Sequence, residues 1–132
     1  MRVFSGRERL PDNTFSYIDN DPLVVIKLIN PSTGREKEAL AYVDTGSDSI
    51  AIPKDVWEEL NITSFRVTSI SVVGGAITTW YTKLDVEFLG KLHKNMIVFY
   101  QEVGDVLLGR AVIDNYAVTF DGLNSTLTIS KK

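Results

Sequence analysis

The stretch Tyr42-Val43-Asp44-Thr45-Gly46-Ser47 delivers a carboxylate from an apolar strand straight into a turn of small residues. An acid in that position sits at the rim of a β core, where an ionised group is costly unless hydrogen-bond donors meet it. Thr45 offers a hydroxyl, Gly46 lets a backbone or a ligand approach closely, and Ser47 adds a donor within reach of the carboxylate. As a local feature alone, the same run also reads as a strand end followed by an Asx-type turn. What surrounds it has to decide.

The surroundings read as β structure. Leu23 to Ile29 is rich in β-branched residues and bounded by turn formers, and Ala39 to Val43 returns as a second strand ending at Asp44. Ser49 to Ile52 continues extended, and Pro53 is well placed to open a short helix over Lys54 to Leu60. Phe65 to Val73 and Ala76 to Phe88 alternate on either side of Gly74-Gly75, which is a hairpin signal. Asn95 to Tyr100 and Val106 to Leu108 add strands. Ala111 to Tyr116 has room for a helical turn or two, and Ala117 to Phe120 and Thr126 to Ser130 flank a turn at Asp121-Gly122-Leu123-Asn124. Short strands with turns at close spacing predict a closed or sandwiched all-β domain over 23–132, preceded by an irregular, loosely held arm at 1–22.

Composition removes several chemistries. The chain has 132 residues, enough for one domain with a real core and too few for two lobes. It has no cysteine, so disulfides, thiolate metal sites and a cysteine nucleophile are out. Its one histidine, His93, rules out a site that needs two imidazoles from one chain. A net charge of −3 without a basic cluster argues against a nucleic-acid partner. No apolar run reaches the roughly 20 residues that span a bilayer, and the first residues lack the apolar core of a signal peptide. The expectation is a soluble, cytoplasmic protein without a membrane partner, in which the sequons at Asn61 and Asn124 are chance matches.

A second element sharpens the reading of Asp44. Val106-Leu107-Leu108-Gly109-Arg110 is an apolar run, then a glycine, then a helix start. Taken in order, the Asp44 turn, the hairpin around Val73-Gly74-Gly75-Ala76 and the Leu107-Leu108-Gly109 segment resemble the retropepsin-like aspartic proteases over about residues 23 to 130. The resemblance implies a single-lobe acid-protease barrel with one or two short helices, active as a two-fold homodimer on a polypeptide substrate, with neither cofactor nor metal. It implies that Asp44 is the catalytic acid, supported in its turn by Thr45, Gly46 and Ser47. Thr45 matches the residue that bonds its partner across the dimer axis, and Gly46 the one whose carbonyl meets substrate backbone. Asp48 and the flap residues Val72, Val73, Gly74, Gly75 and Ala76 fall at substrate-binding positions, and Asp48 and Arg110 match a structural ion pair. Val72 to Thr79 would fold over bound peptide. Trp80 and Tyr81 either line that cleft or pair across strands. Ile50, Val72, Ile77 and Val106, near the cleft, suggest apolar substrate preferences.

Peptide hydrolysis of this kind uses two carboxylates around one water, one accepting its proton while the other polarises the scissile carbonyl. This chain carries a single Asp-Thr-Gly, and Asp21, Asp85, Asp105 and Asp121 lack the following Thr-Gly. The second Asp44 is therefore expected from another copy of the chain, most simply in a two-fold dimer. A non-proteolytic peptide-binding or dimerisation module of the same fold is the alternative. A metal site on Asp44, Ser47 and Ser49 is disfavoured by Gly46, which stands where such loops carry a hydroxyl, and by the lack of further clustered carboxylates.

Overall fold

The computed structural model describes residues 9–10 and 13–131. The chain order is β1 (Arg9–Leu10), β2 (Thr14–Ser16), β3 (Leu23–Ile29), β4 (Glu36–Val43), β5 (Ile50–Pro53), α1 (Lys54–Glu59), β6 (Arg66–Val72), β7 (Gly75–Phe88), β8 (Lys91–Gln101), β9 (Val106–Leu108), α2 (Arg110–Ile113), β10 (Tyr116–Asp121) and β11 (Thr126–Lys131).

The larger sheet runs β3-β4-β9-β5-β8-β7-β6, and a further pairing of β3 with β7 closes the ring. That closure makes a barrel of β3, β4, β9, β5, β8 and β7, and leaves β6 outside it as the second strand of a hairpin with β7. The period of two supplies the barrel's filling. Ile26 and Leu28 of β3, Ala41 and Val43 of β4, Ile50 and Ile52 of β5, Leu84, Val86 and Phe88 of β7, Val98 of β8 and Leu108 of β9 all turn inward and are buried. The pairing of β7 with β8 slips between Leu84 and Val86. The skipped Asp85 turns its Oδ1 to accept the Asn95 N–H at 3.0 Å.

Two of the elements that set the site are parallel crossings, β4 beside β9 and β5 beside β8. The first aligns Ala41 with Val106, Tyr42 with Leu107 and Val43 with Leu108. Asp44 therefore emerges beside Gly109.

The second sheet, β1-β2-β11-β10, corrects the expected irregular arm. Phe15 lies opposite Leu127, Thr14 opposite Thr128 and Ser16 opposite Thr126, and the Thr14 and Thr128 hydroxyls hydrogen-bond at 2.9 Å. Ile18 and Asp21 then bridge each other through their backbones. Of the described residues before Leu23, only short links stand outside strands and the Ile18–Asp21 bridge; residues 1–8 and 11–12 lie outside the described residues. The physical reason is range: Thr14-Phe15-Ser16 is too short to signal a strand locally, and its partner strand lies at the far end of the chain. Elsewhere the differences are small. Pro53 ends β5 and precedes α1 instead of lying within it, and α2 stops at Ile113, so that Tyr116 already belongs to a strand.

Candidate active site

Asp44 is held by its own backbone at the mouth of the β4–β9 pair. Its N–H donates to the Leu108 carbonyl at 3.1 Å, and its carbonyl accepts the Ser47 N–H at 3.2 Å, which makes 44–47 a tight turn. The Asp44 Oδ1 in turn accepts the Gly46 N–H at 2.9 Å. Gly46 is matched to that geometry, because a Cβ there would stand 3.2 Å from the same oxygen and crowd the carboxylate. The side chain is partly exposed, and Thr45 and Gly46 beside it are exposed.

The Leu107-Leu108-Gly109 segment locks this turn from behind. A Cβ on Gly109 would lie 2.2 Å from the Ser49 carbonyl oxygen and 2.6 Å from that of Ser47, so only a glycine lets the two segments cross. The chain then turns into α2, where the Arg110 N–H donates to the Ser47 carbonyl at 2.8 Å and the Ala111 N–H to that of Asp48 at 2.9 Å. The expected ion pair is present: the Arg110 guanidinium meets the Asp48 carboxylate. It is a surface pair in the single chain, with side chains 49 % and 82 % exposed.

One expectation for the turn is corrected. The Ser47 hydroxyl donates to the Ser49 carbonyl at 3.0 Å, away from the Asp44 carboxylate. The reason is that the Ser49 carbonyl lies within reach of the hydroxyl, while the Gly46 N–H already serves Asp44. The expected apolar cleft residues divide in the same way. Ile50 and Val106 point into the barrel and are buried, whereas Val72 and Ile77 are exposed on the hairpin.

The expected hairpin about Gly74-Gly75 is present. Val72 pairs with Gly75, leaving Val73-Gly74 as a two-residue turn. Gly74 takes φ +90° and Gly75 φ +150°, conformations that a side chain disfavours. Val73 at the tip is fully exposed. At the base, Trp80 stacks on Tyr100 with ring centroids 4.2 Å apart, and Tyr81 tilts over Phe99 at 5.6 Å, so both aromatics make cross-strand contacts. Sequence reasoning did not bring Trp57, Phe65, Trp80 and Tyr100 together; their rings come from four separate segments, and no local pattern links them.

Other acids serve structure. Asp121 accepts the Asn124 N–H at 3.1 Å and its side-chain amide at 2.8 Å, and these bonds hold its carboxyl below the usual range. The buried His93 Nε2 lies 3.2 Å from the Tyr116 hydroxyl, far along the chain from the Asp44 turn. Burial, and secondarily Lys91, pushes the imidazole pKa down.

A barrel whose β4 ends in this turn, whose β9 leads through a glycine to a short helix and whose hairpin stands free defines a single-lobe aspartic peptidase of the retropepsin-like class. The aspartyl protease family model matches residues 31–112, and the chain belongs to that family. Among solved structures, a retroviral protease, the EIAV protease complexed with the inhibitor HBY-793, is similar at 20 % identity with a TM-score of 0.56, over 74 % of this chain and 88 % of that one. No curated protein matches.

Proposed function

We propose that two copies of this chain pair about a two-fold axis beside Asp44 and hydrolyse a peptide bond between their two carboxylates. The observation that carries this reading is the single Asp44 turn, half-open to solvent at the end of the β4–β9 pair in a chain of aspartic peptidase family. Two carboxylates gathered around one water cannot both ionise cheaply, so the pair shares one proton, as in aspartic proteases generally. The ionised Asp44 takes a proton from the bound water, whose oxygen attacks the scissile carbonyl carbon. The protonated Asp44 gives its proton to the carbonyl oxygen, forming a gem-diol. The carboxylate that gave up its proton then takes one from a diol hydroxyl as the diol collapses and the C–N bond breaks, while the other carboxyl gives its proton to the departing amine, which leaves the pair with one proton again.

Around that chemistry, Gly46 and Asp48 hold substrate backbone, and Val72, Val73, Gly74, Gly75 and Ala76 fold over the peptide and exclude water. Exposed Val72, Val73 and Ile77 support that role, since apolar groups facing solvent on a free hairpin gain most by covering a ligand. The Asp48–Arg110 pair braces the turn against α2. Thr45 meets its counterpart in the second chain across the axis, a role its exposure beside Asp44 supports.

The experiment is cleavage of an unfolded protein substrate over about pH 3 to 7, a range set by perturbed carboxylates, with wild type beside Asp44→Asn and sedimentation for both. Activity is expected to vanish in the variant while the dimer survives. Cleavage that persists in Asp44→Asn, or that is carried by a monomer, defeats the mechanism.

A further inference from the structure

The free half of the flap hairpin is a two-stranded ribbon. β7 pairs with β8 only from Tyr81 onward, opposite Phe99, and among the described residues Gly75 to Trp80 has β6 as its only strand partner. Isolated two-stranded ribbons are marginal in water, and most side chains between Arg66 and Thr78 are exposed. Something at the base has to hold the ribbon's direction.

The base is fastened in three ways. Thr79, buried, donates its hydroxyl to the Tyr100 carbonyl at 3.0 Å, and Thr82 donates to the Ser64 carbonyl at 2.8 Å. Trp80 stacks on Tyr100 at 4.2 Å, and Phe65, the residue before β6, leans on Trp80 at 6.2 Å. Trp57 of α1 meets both Tyr100 and Phe65 edge-on, at 5.6 and 6.0 Å. The Tyr100 hydroxyl donates to the Glu102 carboxylate at 2.6 Å. Beside these rings, and bounded also by Val67, lies an open apolar cavity of about 490 Å³. Phe65 is half-exposed and Trp80 and Tyr100 are partly buried, so these three rings have room to shift, while Trp57 is buried in the core and stays as their anchor.

We propose that this aromatic clamp is the hinge of the flap: Trp80 and Tyr100, with Phe65 and Trp57 behind them, set the resting direction of the 66–79 ribbon and so act as positioning residues for peptide hydrolysis. The proposal rests on the reading that this hairpin covers substrate. Loosening the stack lets the ribbon sample more directions, so the closed, peptide-covering pose is less populated. Substrate capture suffers more than the chemical step, because the Asp44 turn and its bonds to Leu108 and Gly46 lie on other strands.

The test uses the absence of cysteine from the chain. Val73→Cys, at the exposed tip, carries one nitroxide spin label whose line shape reports ribbon motion whether or not peptide is cut. Trp80→Ala is expected to narrow that line and to raise KM for a peptide substrate several-fold, up to about tenfold for a lost aromatic stack, with kcat changed less. Trp80→Phe is expected to recover most of both effects. If Trp80→Ala fails to fold, Phe65→Ala, whose ring is half-exposed, carries the same comparison. An unchanged line shape in a folded variant, or KM and kcat that respond together with no rescue by phenylalanine, overturns the hinge. A wild type that cuts nothing defeats the protease reading alone, since the line shape still decides the hinge.

Discussion

Gly109 crosses the Ser49 backbone so closely that a methyl group on its Cα would stand 2.2 Å from the Ser49 carbonyl oxygen. Its φ of −92° is open to any residue, so space and not backbone conformation demands the glycine here. The same crossing holds the Ser47 and Asp48 carbonyls against the start of α2 and thereby fixes the turn that presents Asp44.

Gly109→Ala is accordingly expected to cost at least the roughly 1–3 kcal/mol of an overpacked core site, and to reduce hydrolysis even where the chain still folds, because the added methyl displaces the 47–49 backbone. Denaturant unfolding together with cleavage assays at a temperature where the variant is folded checks this. A variant with wild-type stability and turnover means that the crossing is looser than described.

Ser47→Ala should leave the acid limb of the pH–activity profile where it is. The Ser47 hydroxyl is spent on the Ser49 carbonyl at 3.0 Å, and the Gly46 N–H is what meets Asp44. The expected loss is in stability, about 0.5–1.5 kcal/mol for one hydrogen bond. A shifted acid limb with unchanged stability shows that the hydroxyl turns to the carboxylate in the working enzyme.

The Asp48–Arg110 pair is exposed in the single chain, so by itself it is worth only about 0.2–1 kcal/mol and weakens with salt. If dimerisation covers it, Arg110→Met strands a carboxylate at the interface, and the cost appears in association instead. The expected pattern is a near-unchanged monomer melting profile with a dimer dissociation constant raised tenfold or more, measured by sedimentation. Equal dissociation constants place the pair outside the interface.

How much of this was legible in the sequence depended on the range over which each signal acts. The Asp44 turn and Gly109 announce themselves because their chemistry is local, and the strands from Leu23 to Leu108 because their alternation is. The β2 pairing failed to show, since Thr14-Phe15-Ser16 acquires meaning only against Thr126-Leu127-Thr128. The hairpin's tip was readable from Gly74-Gly75, but its base was not: Trp57, Phe65, Trp80 and Tyr100 each look like ordinary packing residues until the barrel brings them together. Ser47 was misassigned for the opposite reason. A donor near a carboxylate in sequence has several acceptors in space, and the backbone chose another.

His93 couples the barrel to the second sheet, and its titration should appear in the stability of the fold. It lies on β8, is buried, and meets the hydroxyl of Tyr116 at the start of β10. Burial and the nearby Lys91 charge hold its folded-state pKa below the 6.5 of an unfolded chain. Well above 6.5 both states are neutral at this site, and it contributes no pH dependence. As pH falls below 6.5 the unfolded chain binds the proton first, so stability declines until the folded-state pKa is passed and then levels. His93→Gln keeps a hydrogen-bonding group toward Tyr116 and removes the titration. Urea midpoints measured from pH 8 down to pH 5 should therefore fall more steeply for wild type than for the variant, with the difference confined to the region below 6.5. Parallel curves would mean that His93 gains its proton as readily in the folded protein as in the unfolded chain. A steeper fall in wild type would mean that acid draws on the stability of the sheet that His93 anchors, through the proton the unfolded imidazole binds first.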